Sequence, residues 1–571
     1  MRRAADVEQV GPFRRKSEPM NAHLHGLDSS VFVGPGFCRG DSKGARLMLI
    51  LAFLLFPTAA LADPPAGFAE RVESLRETLG VPGATVAIVE DGQTTFARGF
   101  GVTDLSAPRA VDADTNFATG STGKAFTVAA LALLVDQGRI GWDDRVIDHM
   151  PDFRMWDAWV TREMTIRDLL VHRSGLGLGA GDLLFVPRSD LSRAETVRRL
   201  RHIRPATSFR SGYAYDNVLY IVAGQLIEEV TGRTWEQFVR ENILRRIGMN
   251  RATVDDAGRI AERNQARPHA RLNGPIRGTG DQVPLSEQAD IAANAAPAGG
   301  LSISANDMTR WLNVQLARGA RPGGERLFSE AASREMWNPV VIQPIDPRPE
   351  NLQPTQPNFY TYALGWDVQD YRGARIIWHG GAVFGSLAAV VLIPDRNIGF
   401  YIAVNSEEGE MVRGLMYELL DHYLDLPNGR WPEQLREFKR GRIAEAIAAV
   451  QAPAAQPAQV GPSLPIARYA GDYADPWYGT IEVREADGQL TVVFPHTPGL
   501  EAVLEHWQYD TFRTRFNDPG MEPAFVTFQL DADGRVDRIT MRAVSPLADF
   551  SFDYHDLLFT PVSQGDDHVA R

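Results

Sequence analysis

Cysteine is nearly missing from this chain. Its 571 residues hold one, Cys38. No disulfide can therefore form within the chain, and neither a thiolate metal cluster nor a CxxC redox pair is possible. No apolar run precedes Cys38, which argues against lipid attachment there. Excess positive charge is missing too. The net charge is −13, and since residues 1–62 carry eight lysines and arginines against five acids, the remainder stands at −16. A body this acidic is a poor match for phosphate backbones, which bind clustered cations, so no nucleic-acid partner is expected. A comfortable membrane span is also absent. The apolar run Leu47–Phe56 covers ten residues, against the roughly twenty that a spanning helix needs.

That short run has another use. Lys43 and Arg46 precede it, and Ala60-Leu61-Ala62 follows as a small-residue cleavage site. Residues 43–62 read as a signal peptide, which predicts export to a periplasm or the medium and no stable membrane span after cleavage. A forty-residue polar leader before such a signal is unusual, so residues 1–42 read as lying upstream of the true start codon.

The length predicts more than one domain. Residues 63–435 mix helical and strand patterns. "TTFARGFGVTD" (94–104) reads as a hairpin edge, and Ala125–Val135 as a helix buried all round. Residues 374–406 read as three strands. Helix starts look capped at Thr165, Thr234 and Ser304. Helices early and strands late predict an α/β sandwich with an antiparallel sheet, the late strands lying beside the early ones. Residues 436–465 form a helical and then Ala/Pro-rich linker. Residues 466–562 alternate apolar and polar between Asp-Gly turns and predict a small antiparallel barrel or sandwich, before a polar tail, 563–571.

"TNFATGSTGKAFTVAAL" (115–131) is the informative stretch. A glycine-flanked lysine invites a phosphate-loop reading, but position 118 is alanine where the loop needs glycine. Ala125 stands where it needs serine or threonine. The stretch instead contains Ser121-x-x-Lys124. Three residues apart on a helix, the two side chains share a face. A hydroxyl nucleophile then meets an amine able to take its proton. The surrounding apolar helix favours neutral lysine, and the helix start favours developing negative charge. Alone, the motif is common by chance, and the plain alternative is a helix start with a surface lysine.

Two further clusters change that balance. Tyr215-Asp216-Asn217 is a Y-x-N at a loop-to-helix junction. Tyr215 is placed to pass a proton, with nearby cations favouring its phenolate. Asn217 is placed to hydrogen-bond Lys124 and a substrate amide. The alternatives are a packed tyrosine and a helix cap. "WHGGAV" (378–383) ends a strand. Gly380 and Gly381 allow close approach to the backbone, the Ala382 and Ser121 N–H groups form a candidate oxyanion hole, and His379 is a candidate donor to a substrate oxygen. An α/β-hydrolase reading of "HGGAV" fails because no serine lies in G-x-S-x-G.

In the order S-x-x-K, Y-x-N, H-x-G, the chain resembles the serine β-lactamase and penicillin-binding-protein-like hydrolases, on the class C side. "VHRSGLG" (171–177), "PAGGLSISANDMTRWL" (297–312) and "YALGWDV" (362–368) are similar to family phrases. The resemblance spans roughly residues 68–425. Residues 504–516, "LEHWQYDTFRTRF", resemble the lipocalin-like domain behind some members. The resemblance implies an antiparallel sheet flanked by helices, with an all-helical subdomain. It also implies acyl-enzyme chemistry without metal or cofactor: Ser121 as nucleophile, Lys124 and Tyr215 moving protons, Asn217, His379, Gly381 and Ala382 in the binding and oxyanion site. The H-G-G triplet replaces the K-T-G usual in β-lactamases and transpeptidases. An exported esterase, amidase or D-amino-acid peptidase is therefore expected over a potent β-lactamase. The alternatives are a silent binding protein and a weak β-lactamase or D,D-carboxypeptidase. The expected partner is a small-molecule or peptide substrate. Residues 176–214 are the expected pocket wall, with Leu183, Leu184 and Phe185 as candidate acyl contacts and Arg204 or Arg210 as candidate carboxylate holders. The C-terminal domain is expected to cover or shape the cleft.

Overall fold

The structure is a computed structural model, describing residues 64–452 and 460–562. Cys38, the expected signal at 43–62, residues 453–459 of the linker and the tail 563–571 lie outside the described residues. Helix α1 (Phe68–Leu79) buries Phe68, Val72, Leu75 and Leu79, one stripe at helical spacing. It leads into strands β1 (Gly83–Glu90) and β2 (Gln93–Gly101). The rest of the main sheet comes late in the chain: β3 (Val341–Ile342), β4 (Tyr360–Tyr362), β5 (Asp367–Tyr371), β6 (Ala374–Val383), β7 (Ser386–Ile393) and β8 (Ile398–Val404). The order is β2-β1-β8-β7-β6-β5-β4-β3, all antiparallel. The expected pairing of early and late strands is therefore the β1–β8 ladder, with Val86 opposite Ile402.

Every residue of β1 and β8 is buried. Two helical layers make this necessary. Ala84, Val86 and Ile88 face α1 and helix α5 (Gly409–Tyr423), while Ala87 and Val89 face the other layer. Strands covered on both faces read as continuous apolar runs rather than clean alternation. The other layer holds helix α2 (Lys124–Asp136), α3 (Val218–Thr231) and α4 (Ala305–Leu316). Residues 124–134 of α2 are all buried, and Phe126 stacks on Trp311 of α4 at 4.0 Å. Two of the expected caps are present, Thr234 and Gln237 forming a capping box and Ser304 accepting from the Asp307 N–H, whereas near Thr165 only the short 3-10 turn Asp168–Leu170 forms, with Arg167 as its N-cap.

The helical part of the expected linker is α6 (Trp431–Gln451), which starts before residue 436, and only Trp431, Pro432 and Ala446 along it are buried. Beyond it lies a closed antiparallel barrel of eight strands, from β9 (Gly471–Asp475) to β16 (Leu558–Pro561). Ile481 and Val483 point in while Arg484 points out, the alternation read from the sequence. The lumen is filled with rings: Tyr469, Tyr473, Phe512 and Phe528 at one end, Tyr478, Phe494 and Phe559 at the other. This apolar core is continuous with that around α2 and α3. Among the described residues no helix is long and apolar enough to cross a membrane.

Candidate active site

Ser121 lies on a single 3-10 turn, Gly120–Gly123, that runs directly into α2 at Lys124. The turn is held from both sides. Phe117–Ala118 pairs with Ser302–Ile303, and the Thr119 N–H donates to the Leu301 carbonyl at 2.9 Å. The end of β6 presses on the other side. A Cβ on Gly381 would stand 1.9 Å from the Thr119 carbonyl oxygen, so only glycine fits. One on Gly120 would stand 2.5 Å from the Ala382 nitrogen. The Ala382 amide therefore lies beside the turn that carries Ser121, as the oxyanion reading requires.

Lys124 is wholly buried. Its Nζ lies 3.0 Å from Ser121 Oγ, 2.7 Å from Asn217 Oδ1 and 3.0 Å from the Ala298 carbonyl. Burial pulls its pKa down to about 7, against the opposing pull of the Asp182 and Asp216 carboxylates. The contacts then dictate orientation. Amide and carbonyl oxygens only accept. A neutral amine has two N–H groups, which go to Asn217 and Ala298. The lone pair that remains faces Ser121. Asn217 occupies the N-cap position of α3 but makes no capping bond. Its side chain is spent on Lys124 and, through Nδ2, on Asp182 Oδ2 at 3.0 Å.

Tyr215 lies against the same amine, with Nζ 4.8 Å from its ring centre. The phenolate expected from nearby cations is not what the site favours. Burial raises the Tyr215 pKa well above its usual value, and the Ser121 hydroxyl only partly offsets this. Tyr215 is thus a neutral phenol. Its hydroxyl is turned toward Ser121 but closes no bond of full hydrogen-bond geometry. His379 also differs from expectation. Its Nδ1 is 2.5 Å from the Gly380 carbonyl and must donate there, so Nε2 accepts from the Tyr362 hydroxyl at 2.8 Å. Burial and Lys124 pull its pKa down to about 3. The ring is neutral with both nitrogens engaged, so it offers a substrate no free donor in this arrangement. Tyr362 in turn packs against His172, with ring centres 4.6 Å apart.

Ser121, Tyr215, Asn217, His379, Gly381 and Ala382 all line one cavity of about 790 Å³. Phe185 lines it too, as expected, whereas Leu183 and Leu184 are fully buried in the core. The arginines expected to hold a carboxylate face elsewhere. Arg204 lies 4.9 Å over Trp156 and Arg210 pairs with Asp168. Other cations line the cavity: Arg271, Arg277 and Lys439 pair with Glu408, Glu407 and Glu410, and Arg413 of α5 has its guanidinium 4.6 Å over the Trp378 ring. Three residues that the sequence did not single out complete the site. Asp182 holds Asn217. His172, at φ +57 in the "VHRSGLG" phrase, packs against Tyr215 with ring centres 4.1 Å apart. Phe550, from the barrel, lies edge-on to Tyr215 at 6.2 Å.

Comparison with known proteins gives the family. The Beta-lactamase family model matches residues 68–424, and a domain of unknown function, DUF3471, matches residues 455–561. The chain is 30% identical over 438 residues to the unguisins hydrolase ungD' of Aspergillus campestris, covering 73% of this chain and 77% of that protein. It is 28% identical over 379 residues to penicillin-binding protein 4 of Amycolatopsis lactamdurans, covering 64% of this chain and 92% of that one. Among solved structures, the octameric penicillin-binding protein homologue from Pyrococcus abyssi superposes with a TM-score of 0.55 at 20% identity, over 84% of this chain and 98% of that one. An antiparallel sheet with helices against it agrees with the match over residues 68–424, and the chain belongs to the β-lactamase family.

Proposed function

We propose that this protein is an exported serine hydrolase that works through an acyl-enzyme on an ester, amide or D-amino-acid-containing peptide. One observation carries the reading: a buried amine whose two acceptor-only partners leave its lone pair facing Ser121 Oγ at 3.0 Å. Lys124 takes the hydroxyl proton as Oγ bonds to the substrate carbonyl carbon. The resulting oxyanion meets the Ser121 and Ala382 N–H groups. The C–O or C–N bond then breaks, and the leaving group takes a proton through Tyr215, which Lys124 replenishes. Water attacks the acyl-enzyme, frees the acid and returns the proton to Ser121.

The cavity supports a substrate of peptide size. It measures about 790 Å³ and is walled by Phe185, Tyr213, Phe384 and Phe550, within the range of small-molecule sites. Arg413, over the Trp378 ring and near the Asp367 carboxylate, and Arg442 both line it, and cations there suit a substrate with an anionic group. The absence of a K-T-G lysine on β6 favours esters and peptides over β-lactams.

A fluorophosphonate probe tests the nucleophile. It is expected to label the protein, and Ser121→Ala is expected to stay dark and to lose turnover of p-nitrophenyl esters, D-amino-acid amides and nitrocefin alike. Equal labelling of the variant removes Ser121 from the reaction.

A further inference from the structure

The hydrogen bonds behind Lys124 do not stop inside the hydrolase domain. Lys124 is held by Asn217, and Asn217 Nδ2 donates to Asp182 Oδ2. That same oxygen accepts from the Ser551 hydroxyl at 2.8 Å, across 369 residues of chain. Ser551 belongs to the barrel, on the loop 544–557 between its last two strands, Val536–Ala543 and β16. We propose that Ser551 is a positioning residue of the hydrolase, supplied by the C-terminal domain: by donating to Asp182 it locks the Asp182–Asn217–Lys124 chain that aims Lys124 at Ser121. The inference rests on Ser121 and Lys124 acting as proposed above.

Three observations support it. The first is direction. Asn217 can hold Lys124 only with its oxygen turned inward, because an amide NH2 there would face the amine. An acceptor on the outer side enforces that orientation, and Asp182 is that acceptor. With Asn217 and Ser551 both donating to Oδ2, the carboxylate is fixed in its rotation. The second is fit. The loop is seated as closely as a core segment. Gly179 has φ +71, and a Cβ there would stand 2.6 Å from the Phe550 ring. Phe552 stacks on Phe384 at 4.8 Å, one residue beyond β6. The Gly181 N–H donates to Asp553 at 2.8 Å. The third is desolvation. Asp182 is fully buried, and its Oδ1 has no partner. A carboxylate this dry depends on its few donors.

The charge around the pair gives the role a signature. Burial raises the Asp182 pKa to about 7, while Ser551 and Asn217 lower it. Asp549, on the same loop, and Asp553 add carboxyls on that side. Burial, with Asp556 and Asp182, raises Asp553 to about 9, so it is a neutral acid at pH 7. Lys124 faces Asp182 and Asp216, with His172, His379, Tyr215 and Tyr220 nearby, the two imidazoles pulled down and the two phenols raised by burial. Removing the Ser551 hydroxyl raises Asp182 further and leaves it more often neutral. That weakens the anion that holds Lys124 up, so the Lys124 pKa falls.

Ser551→Ala in the full-length protein is expected to slow fluorophosphonate labelling and kcat about tenfold, the value of one lost hydrogen bond. The acid limb of the pH profile is expected to move to lower pH, with KM little changed. Ser551→Thr, which keeps the hydroxyl, is expected to restore both. A lost packing contact would not move the limb. Where Ser551→Ala does not fold, Asp182→Asn supplies the same readout, with a loss at least as large. Wild-type rate and limb in Ser551→Ala, or in Asp182→Asn where that variant serves, overturn the inference. Labelling that persists in Ser121→Ala overturns the proposed function instead, so the two failures are distinguishable.

Discussion

The barrel lumen and the hydrolase site of this chain bury different kinds of group. The barrel encloses rings: Tyr469 and Phe528 meet at 5.0 Å and Tyr478 and Phe494 at 5.5 Å, and Phe512 is 1% exposed. The hydrolase site encloses ionisable groups. Lys124, Asp182 and Asp216 are fully buried and His379 is 3% exposed. Rings are stabilised by the area they remove from water, about 25 cal/mol per Å², and only the tyrosine hydroxyls among them need a partner, which Asp510, the Tyr469 carbonyl and Thr497 supply. Buried ionisable groups persist only where neutralised or hydrogen-bonded. The comparison teaches what the barrel can contribute. A lumen packed with rings leaves little room for cargo, so its contribution comes from an edge loop that meets the hydrolase's buried carboxylate.

The contrast implies effects of different size. The largest is expected at the buried amine. Lys124→Met removes the base and is expected to cost about 10³ to 10⁴ in kcat, the upper range for general-base loss. In the wild type, kcat/KM is expected to rise with pH and level off above about 7, because the protonated amine has no lone pair and its pKa is lowered to about 7. Initial rates from pH 5 to 9 check this, and a flat profile contradicts it.

Next comes the barrel lumen. Phe528→Ala is expected to cost about 3 to 5 kcal/mol in stability, as core phenylalanine truncations do. Thermal melts read it, while kcat of the folded fraction at 25 °C is expected to hold. A fall in kcat without a fall in Tm would mean that the lumen takes part in turnover.

Gly381→Ala is expected to act on the site rather than the core. Its Cβ would stand 1.9 Å from the Thr119 carbonyl. A shift of an ångström in a reacting geometry costs about 10² in rate, and steady-state kinetics on an activated ester would show it. The smallest effect is expected at Phe550, 39% exposed on the cavity wall. Phe550→Ala is expected to raise KM several-fold, about 1 kcal/mol of lost apolar contact, with kcat and Tm nearly unchanged. A kcat loss there in place of a KM change would erase the division of labour between Phe550 and Ser551.

Legibility in the sequence followed distance along the chain. Ser121 and Lys124 were readable because three residues on a helical turn meet wherever that turn lies. Tyr215 and Asn217 were readable as a motif. The strands of residues 374–406, the buried helix after Ser121 and the Asp-Gly hairpins of the barrel were readable from periodicity and turn residues. Asp182 was hidden because its neighbours Leu183, Leu184 and Phe185 carry the stronger apolar pattern, and nothing local distinguishes it from a solvated acid. Arg204 and Arg210 were the opposite case: charged residues near a pocket in sequence, but satisfied by Trp156 and Asp168 in space. Ser551 carries no motif at all.

From the order of residues alone come the nucleophile and its amine, the glycine at 381 and the two-part architecture, since each depends on local spacing and on which side chains avoid water. Protonation needed the folded chain. Lys124 has its pKa brought down to about 7 because its amine is fully buried. Tyr215 stays a phenol, and His379 has its nitrogens spoken for, for the same reason. The strength of a charge depends on the water around it and on partners brought from far along the chain. Ser551, 369 residues from the carboxylate it holds, is a neighbour that only folding supplies.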